Sequence, residues 1–136
     1  MAEGLCRTLL GTHLDVYSAG TRPNPHGVDP RAAAAMAEIG IDIRTHHSKA
    51  VEELRGTGFD LVVTVCDSAR EACPTFAGAA RLMHQGFDDP PRLAANARTD
   101  AEAMPHYRRV RDEIKRFVAT LPSLLATHNP APGAAR

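Results

Sequence analysis

Cys66 and Cys73 stand seven residues apart, separated by the six-residue segment DSAREA and followed at once by Pro74. Cys66 directly follows the most strand-like run in the chain, FDLVVTV from Phe59 to Val65, and opens a short segment with helical character. A sulfur at a strand's carboxyl end and a helix's start meets unpaired N–H groups and the positive end of the helix dipole, which favour a thiolate. On an intact α-helix, positions i and i+7 share a face about 10.5 Å apart by helical rise, whereas a disulfide needs Cα atoms within about 7 Å. A direct bond between them would therefore require the intervening turn to unwind, and so short a helix stopped by proline is marginal enough to do so. Two chemically idle, buried cysteines remain the alternative, since free cysteine is among the most buried residue types.

Other residues with chemical potential are less specific. Asp88 and Asp89 precede Pro90 after an expected strand, so either is placed to act as a general acid over the carboxyl edge of a sheet; a solvated Asp-Pro turn is the plainer reading. A zinc site built from Cys6, Cys66, Cys73, His46, His47 or His84 lacks paired ligand spacing. His46 and His47 read as surface residues, and Lys49 is placed to neutralise nearby carboxylates without a bound cation or to remain solvated. Ser18-Ala19-Gly20 is open to two readings, a tight turn where backbone passes close to something else or an ordinary strand end.

The elements that must position these residues alternate. Met1 to Leu10 reads as a helix with Met1, Leu5 and Leu9 on one face and Gly11 as its stop. A strand is expected at Leu14 to Ser18, and a surface loop at Thr21 to Val28. Asp29-Pro30 supplies an N-cap and a first-turn proline for a helix over Arg31 to Ile39 that Gly40 ends. Ser48 heads a short capped helix stopping at Gly56. The run from Phe59 to Val65 suits a strand covered on both faces. A short helix over Asp67 to Ala72, a strand at Arg81 to His84, a loop from Phe87 to Thr99 and a long helix from Ala101 to about Leu125 complete the order. This is an α/β pattern with a parallel sheet and crossover helices on both faces, and chemistry in such sheets collects at the carboxyl ends of the strands. The domain spans 1–126, and the Pro-, Gly- and Ala-rich residues 127–136 read as a disordered tail.

Composition narrows the function classes. The chain has 136 residues, enough for one domain, with 16 Lys and Arg against 16 Asp and Glu, giving a formal net charge of zero. Neither nucleic acid nor an anionic membrane surface is selected by that balance. Aromatics make up 4% of residues and tryptophan is absent, so base stacking is disfavoured and the core falls to aliphatic residues. No apolar run approaches the roughly 20 residues that span a bilayer. Three cysteines are too few and too odd in number for a secreted disulfide scaffold, which points to a cytoplasmic address.

Several segments together resemble one family: MAEGL at the start, VYSAGT at 16–21, EIGID at 38–42, VVTVCDSAREACP at 62–74 and GFDDP at 86–90. They are similar to the thioredoxin-coupled arsenate reductases of the low-molecular-weight tyrosine phosphatase fold, a flavodoxin-like parallel sheet, over residues 1 to about 125. The resemblance implies that Cys66 attacks the sulfur of a cysteine–arsenic adduct and releases arsenite, that Cys73 then forms a disulfide with Cys66, and that thioredoxin reduces it. Asp89 would donate or shuttle a proton. No bound cofactor or metal is implied; the ligand is arsenate or a phosphate-like oxyanion. The family's Cys-x5-Arg anion loop and the central strand before it are not found in these residues, and Cys6 has no arginine six residues later. The expectation is an N-terminally truncated domain whose true start lies upstream and which does not turn over arsenate by itself. A tyrosine phosphatase of the same fold and an inactive truncated relative are the alternatives. The absence of an aromatic residue in Pro91-Arg92-Leu93 favours the reductase.

Overall fold

Two short strands running side by side set the frame of the computed structural model, which describes residues 1–72, 79 and 81–127. Strand β1 (Val62–Thr64) pairs in parallel with β2 (Leu82–His84), with Val62 opposite Leu82, Val63 opposite Met83 and Thr64 opposite His84. The pairing continues past the strands, because Gln85 N–H donates to Thr64 O at 2.9 Å and Phe87 N–H to Val65 O at 3.0 Å. Isolated parallel bridges join Phe59 to Ala79 and Gly20 to Ala50.

Around this pair lie α1 (Ala2–Leu10), α2 (Pro30–Ala37), α3 (Asp67–Ala72), α4 (Pro90–Leu93), α5 (Asp100–Val118) and α6 (Leu121–Ala126). Local chemistry accounts for their limits. Asp29 caps α2, its Oδ1 accepting from Arg31 N–H at 2.8 Å, and Pro30 occupies the first turn. Gly40 follows α2 with φ of 79°, a left-handed conformation that glycine adopts without strain. Thr99 caps α5 by accepting from Glu102 N–H at 3.2 Å.

The core is aliphatic, as the composition requires. Leu5, Met36, Ile41, Ile43, Val110, Ile114, Val118 and Leu121 form one buried cluster where α1 and α5 meet. Ala35, Ala94, Ala103, Met104 and Tyr107 form a second, where α2 and α4 pack on α5. Polar ties reinforce the α2–α5 contact. Arg111 donates to Ala35 O at 2.7 Å and to Glu38 at 3.0 Å, and Arg108 grips the same Glu38 carboxylate at 2.7 Å. The two guanidinium groups hold Glu38 down at about 2.

Five sequence expectations need correction. Residues 14–18 take no strand pairing among the described residues; the carbonyl of Val16 accepts instead from the Arg7 guanidinium at 2.8 Å, and a strand exists only where a ladder partner lies alongside. The Phe59–Val65 run pairs as a strand over three residues and is not covered on both faces, since Val65 is exposed. Ser48 caps no helix: its Oγ accepts from Asn24 N–H at 3.1 Å, and the following 3-10 turn Val51–Leu54 starts at Ala50, whose N–H donates to Glu53. The expected 87–99 loop contains α4, started by its two prolines. The long terminal helix is two helices, because Pro122 has no N–H to continue the ladder, and the chain restarts there as α6. Residues 128–136, with most of the expected tail, lie outside the described residues.

Gly4 exposes how tightly α1 is seated. A Cβ at Gly4 would lie 2.6 Å from Ile43 Cγ2, and Ile43 is itself fully buried. Gly4→Ala is therefore expected to destabilise the fold by about 1–2 kcal/mol despite the better helix propensity of alanine. A lower urea midpoint at unchanged slope is the result to look for; an unchanged midpoint would refute the packing account.

Candidate active site

Cys66 emerges at the carboxyl end of β1 as an exposed thiol, which removes the buried alternative for this residue. It stands immediately before α3, and its sulfur caps that helix: Ala69 N–H points at Sγ, 3.4 Å away. Arg70 N–H donates to Cys66 O at 3.0 Å, closing the first helical turn. The segment DSAREA is thus helical, as its sequence suggests, and begins on the cysteine. Cys73 lies outside the described residues.

The continued pairing past β2 brings the second candidate to the same edge. The 85–89 loop is fixed at Phe87, at Asp88 and at the Pro90 that follows it. Phe87 is bonded through its N–H to Val65 O and sets its ring edge-on to Phe117, centroids 5.9 Å apart. Asp88 pairs with Arg109 at 2.9 Å. Pro90 is buried as the first residue of α4. Between these anchors Asp89 is exposed and makes no side-chain capping bond. The sequence left either aspartate open to an acid–base role; the structure engages Asp88 and leaves the Asp89 carboxylate without a hydrogen bond or ion pair among the described residues.

Two clusters were not legible as such in the sequence. Glu3, buried within α1, accepts from the Ser18 hydroxyl and pairs with Arg7 at 2.9 Å and Lys49 at 3.8 Å. Burial opposes its charge, but Ser18, Lys49, His46 and Arg7 together outweigh burial and hold the carboxyl below the ordinary glutamate range. Lys49 neutralises a carboxylate here, and His46 is half-buried beside it rather than on the surface. The second cluster is Thr64, His84 and Asp67, with Thr64 Oγ1 at 2.8 Å from His84 Nδ1 and Asp67 Oδ1 at 3.5 Å from His84 Nε2. The β1–β2 register sets Thr64 opposite His84, and nothing in the sequence showed that register.

Cys6 is half-buried against the aliphatic core, and burial pushes its thiol up. Among the described residues no three histidines, cysteines or carboxylates come together in a way that could hold a metal ion; Cys73, one of the cysteines considered for zinc, lies outside them. No helix among the described residues is long and apolar enough to cross a membrane. A cleft of about 630 Å³ between α2 and α5 is lined by Asp29, Arg31, Glu38, Asp100 and Tyr107, not by Cys66 or Asp89. Its polar groups are already engaged: Tyr107 donates to Asp29 at 2.6 Å, Arg31 to Asp100 at 2.9 Å, and Arg108 and Arg111 hold Glu38. Burial and the Asp29 carboxylate push the Tyr107 hydroxyl well above its ordinary value.

Residues 1–129 match the family described as low molecular weight phosphotyrosine protein phosphatase. The chain belongs to that family. Among characterised relatives it is 43% identical over 120 residues to an arsenate reductase of Halalkalibacterium halodurans, covering 88% of this chain and 83% of the relative. It is 41% identical to an arsenate reductase of Bacillus subtilis over 84% of this chain and 78% of that one. Solved structures agree. An arsenate reductase in its oxidized state superposes with a TM-score of 0.73 at 26% identity over 91% of this chain and 86% of its own. An arsenate reductase in a phosphate-binding state superposes at 0.69 and 26% identity over 94% and 87%. The α/β fold with a parallel sheet expected from the sequence is the fold of this family.

The Glu3 cluster generates a pH test. A carboxyl held below its ordinary range when folded contributes stability that is complete above the unfolded-state value and is lost as pH falls through the folded-state value. Glu3→Gln should therefore lower the urea midpoint at neutral pH, and the gap from the wild type should close on acidification. A gap that persists unchanged in strong acid would show that Glu3 acts through packing alone.

Proposed function

We propose that this chain carries the cysteine relay of an arsenate reductase, with Cys66 and Cys73 as the redox pair and Asp89 as the proton carrier. The observation that supports it most is the placement of an exposed sulfur at the start of a six-residue helix, on the same sheet edge as a carboxylate that has no partner among the described residues. Relatives named arsenate reductase supply the substrate class. A solved arsenate reductase in a phosphate-binding state is consistent with a tetrahedral oxyanion as ligand.

The relay balances as follows. Arsenate accepts a cysteine thiolate from a Cys-x5-Arg loop, which these residues do not contain, and loses water to form a sulfur–arsenic bond. Asp89 delivers the proton that the departing oxygen needs. The Cys66 thiolate attacks that sulfur; the sulfur–arsenic bond breaks, its electron pair stays with arsenic, and arsenite leaves with arsenic reduced by two electrons. The resulting disulfide is attacked by Cys73, which frees the first cysteine and leaves a Cys66–Cys73 disulfide. A dithiol reductant, thioredoxin, supplies the two electrons that reopen it. Bringing Cys73 to Cys66 needs α3 to open, and a six-residue helix has little intrinsic stability to oppose that.

Single replacements in the full-length protein test the roles. Cys66→Ser and Cys73→Ser should each abolish thioredoxin-dependent arsenate reduction, measured by reductant oxidation, while leaving any aryl phosphate hydrolysis intact. Asp89→Asn should slow turnover about 10²- to 10⁴-fold, the range of a lost general acid. Robust arsenate reduction by either serine variant would refute the relay, and hydrolysis as the dominant activity would assign the chain to the phosphatases.

A further inference from the structure

His84 is positioned to govern when α3 opens. The ring spans from the end of β1 to the first residue of α3, with Nδ1 at 2.8 Å from Thr64 Oγ1 and Nε2 at 3.5 Å from Asp67 Oδ1. Asp67 follows Cys66 directly, so any hold on Asp67 is a hold on the helix start that Cys66 caps. The ring is largely buried, with its side chain 24% exposed, whereas that of Asp67 is 82% exposed. Space for the ring is provided by Gly86, where a Cβ would come within 3.3 Å of Nε2. Gly86 has no positive φ, so room for the imidazole, not backbone freedom, accounts for a glycine there.

We infer that His84 is a positioning residue, a latch that tethers the start of α3 to the strand pair and holds closed the helix that must unwind before Cys73 reaches Cys66. This rests on the reading of Cys66 and Cys73 as a redox pair. In the neutral ring, Nε2–H faces Asp67 while Nδ1 accepts from the Thr64 hydroxyl. In the protonated ring, Nδ1–H donates to Thr64, whose hydroxyl turns to Met83 O at 3.5 Å, and Nε2–H faces the Asp67 carboxylate as an ion pair. Among the described residues the ring meets Thr64 from β1, Asp67 from α3 and, at the position a Gly86 Cβ would take, the following loop; of these, Asp67 is the charged one. The tether is therefore stronger when the ring is charged than when it is neutral, so acid conditions favour the closed helix and alkaline conditions its opening.

The test uses reduced full-length protein and two readouts. In the first, diamide takes two electrons and two protons from the thiols, and the rate of Cys66–Cys73 disulfide closure is followed by mass spectrometry. That rate is divided by the rate of Cys66 alkylation by iodoacetamide, which needs no helix opening. Relative to His84→Gln, the normalised wild-type rate should be about threefold lower near pH 5.5 and approach equality near pH 8.5, the size expected for a partly exposed ion pair. Thiolate effects of Cys73 cancel in that comparison. Asp67→Asn, at an exposed position that folding tolerates, should behave as His84→Gln does. In the second readout, hydrogen exchange at the Ala69 and Arg70 amides, corrected for intrinsic rates, should show protection that falls with rising pH in the wild type and stays flat in both variants. A wild-type pH profile identical to that of both variants in exchange would overturn the latch. Failure of the disulfide to close in any form, with the exchange difference intact, would overturn the redox pairing and support the latch.

Discussion

The parallel register of β1 on β2 is the constraint on which the candidate site depends. Because Thr64 lies opposite His84, the next residues on both strands leave the sheet at the same edge, and Phe87 N–H extends the ladder to Val65 O. A slip of one residue would turn the side chains to the opposite face and part Thr64 from His84. Everything that places Cys66 and Asp89 beyond one edge follows from that register. The remaining anchors, Phe87 on Phe117 and Asp88 on Arg109, fasten the loop to α5 so that the edge is held to the helical core as well as to its neighbouring strand.

Carboxylates do much of the joining between segments distant in sequence. Asp29 serves two elements at once, one oxygen capping α2 and the other accepting from Tyr107 on α5. Glu38 is shared by Arg108 and Arg111, and Glu3 ties α1 to the residues around Ser18 and Lys49. With so few aromatic residues, the apolar core is made mostly of aliphatic side chains and methionine, whose packing is non-directional. Charge-assisted hydrogen bonds supply that direction.

Helix starts and stops were legible because their causes are local. Asp29-Pro30, Gly40, Gly11 and the segment after Cys66 each carry their own capping or breaking chemistry, and the structure places helix ends there. The 14–18 stretch shows the limit of such reasoning. Its alternation of apolar and polar residues is strand-like, but a strand is a relation between two segments, and its backbone meets the Arg7 side chain instead. Pro122 shows another limit: the periodicity of the last helix runs through it, while the missing N–H divides the helix in two.

For the site, the sequence by itself determined the residue types and their local settings: a cysteine after an apolar strand, a short helix stopped by proline, and two aspartates ahead of Pro90. Segments at 1–5, 16–21, 38–42, 62–74 and 86–90 also carried the family. Only the tertiary structure decided which aspartate pairs with Arg109, which carboxylate Lys49 neutralises, and that His84 reaches from one strand to the helix on the other. Those outcomes depend on side chains brought together from positions 15 to 46 residues apart, and spacing along a chain contains no term for a contact made across a sheet.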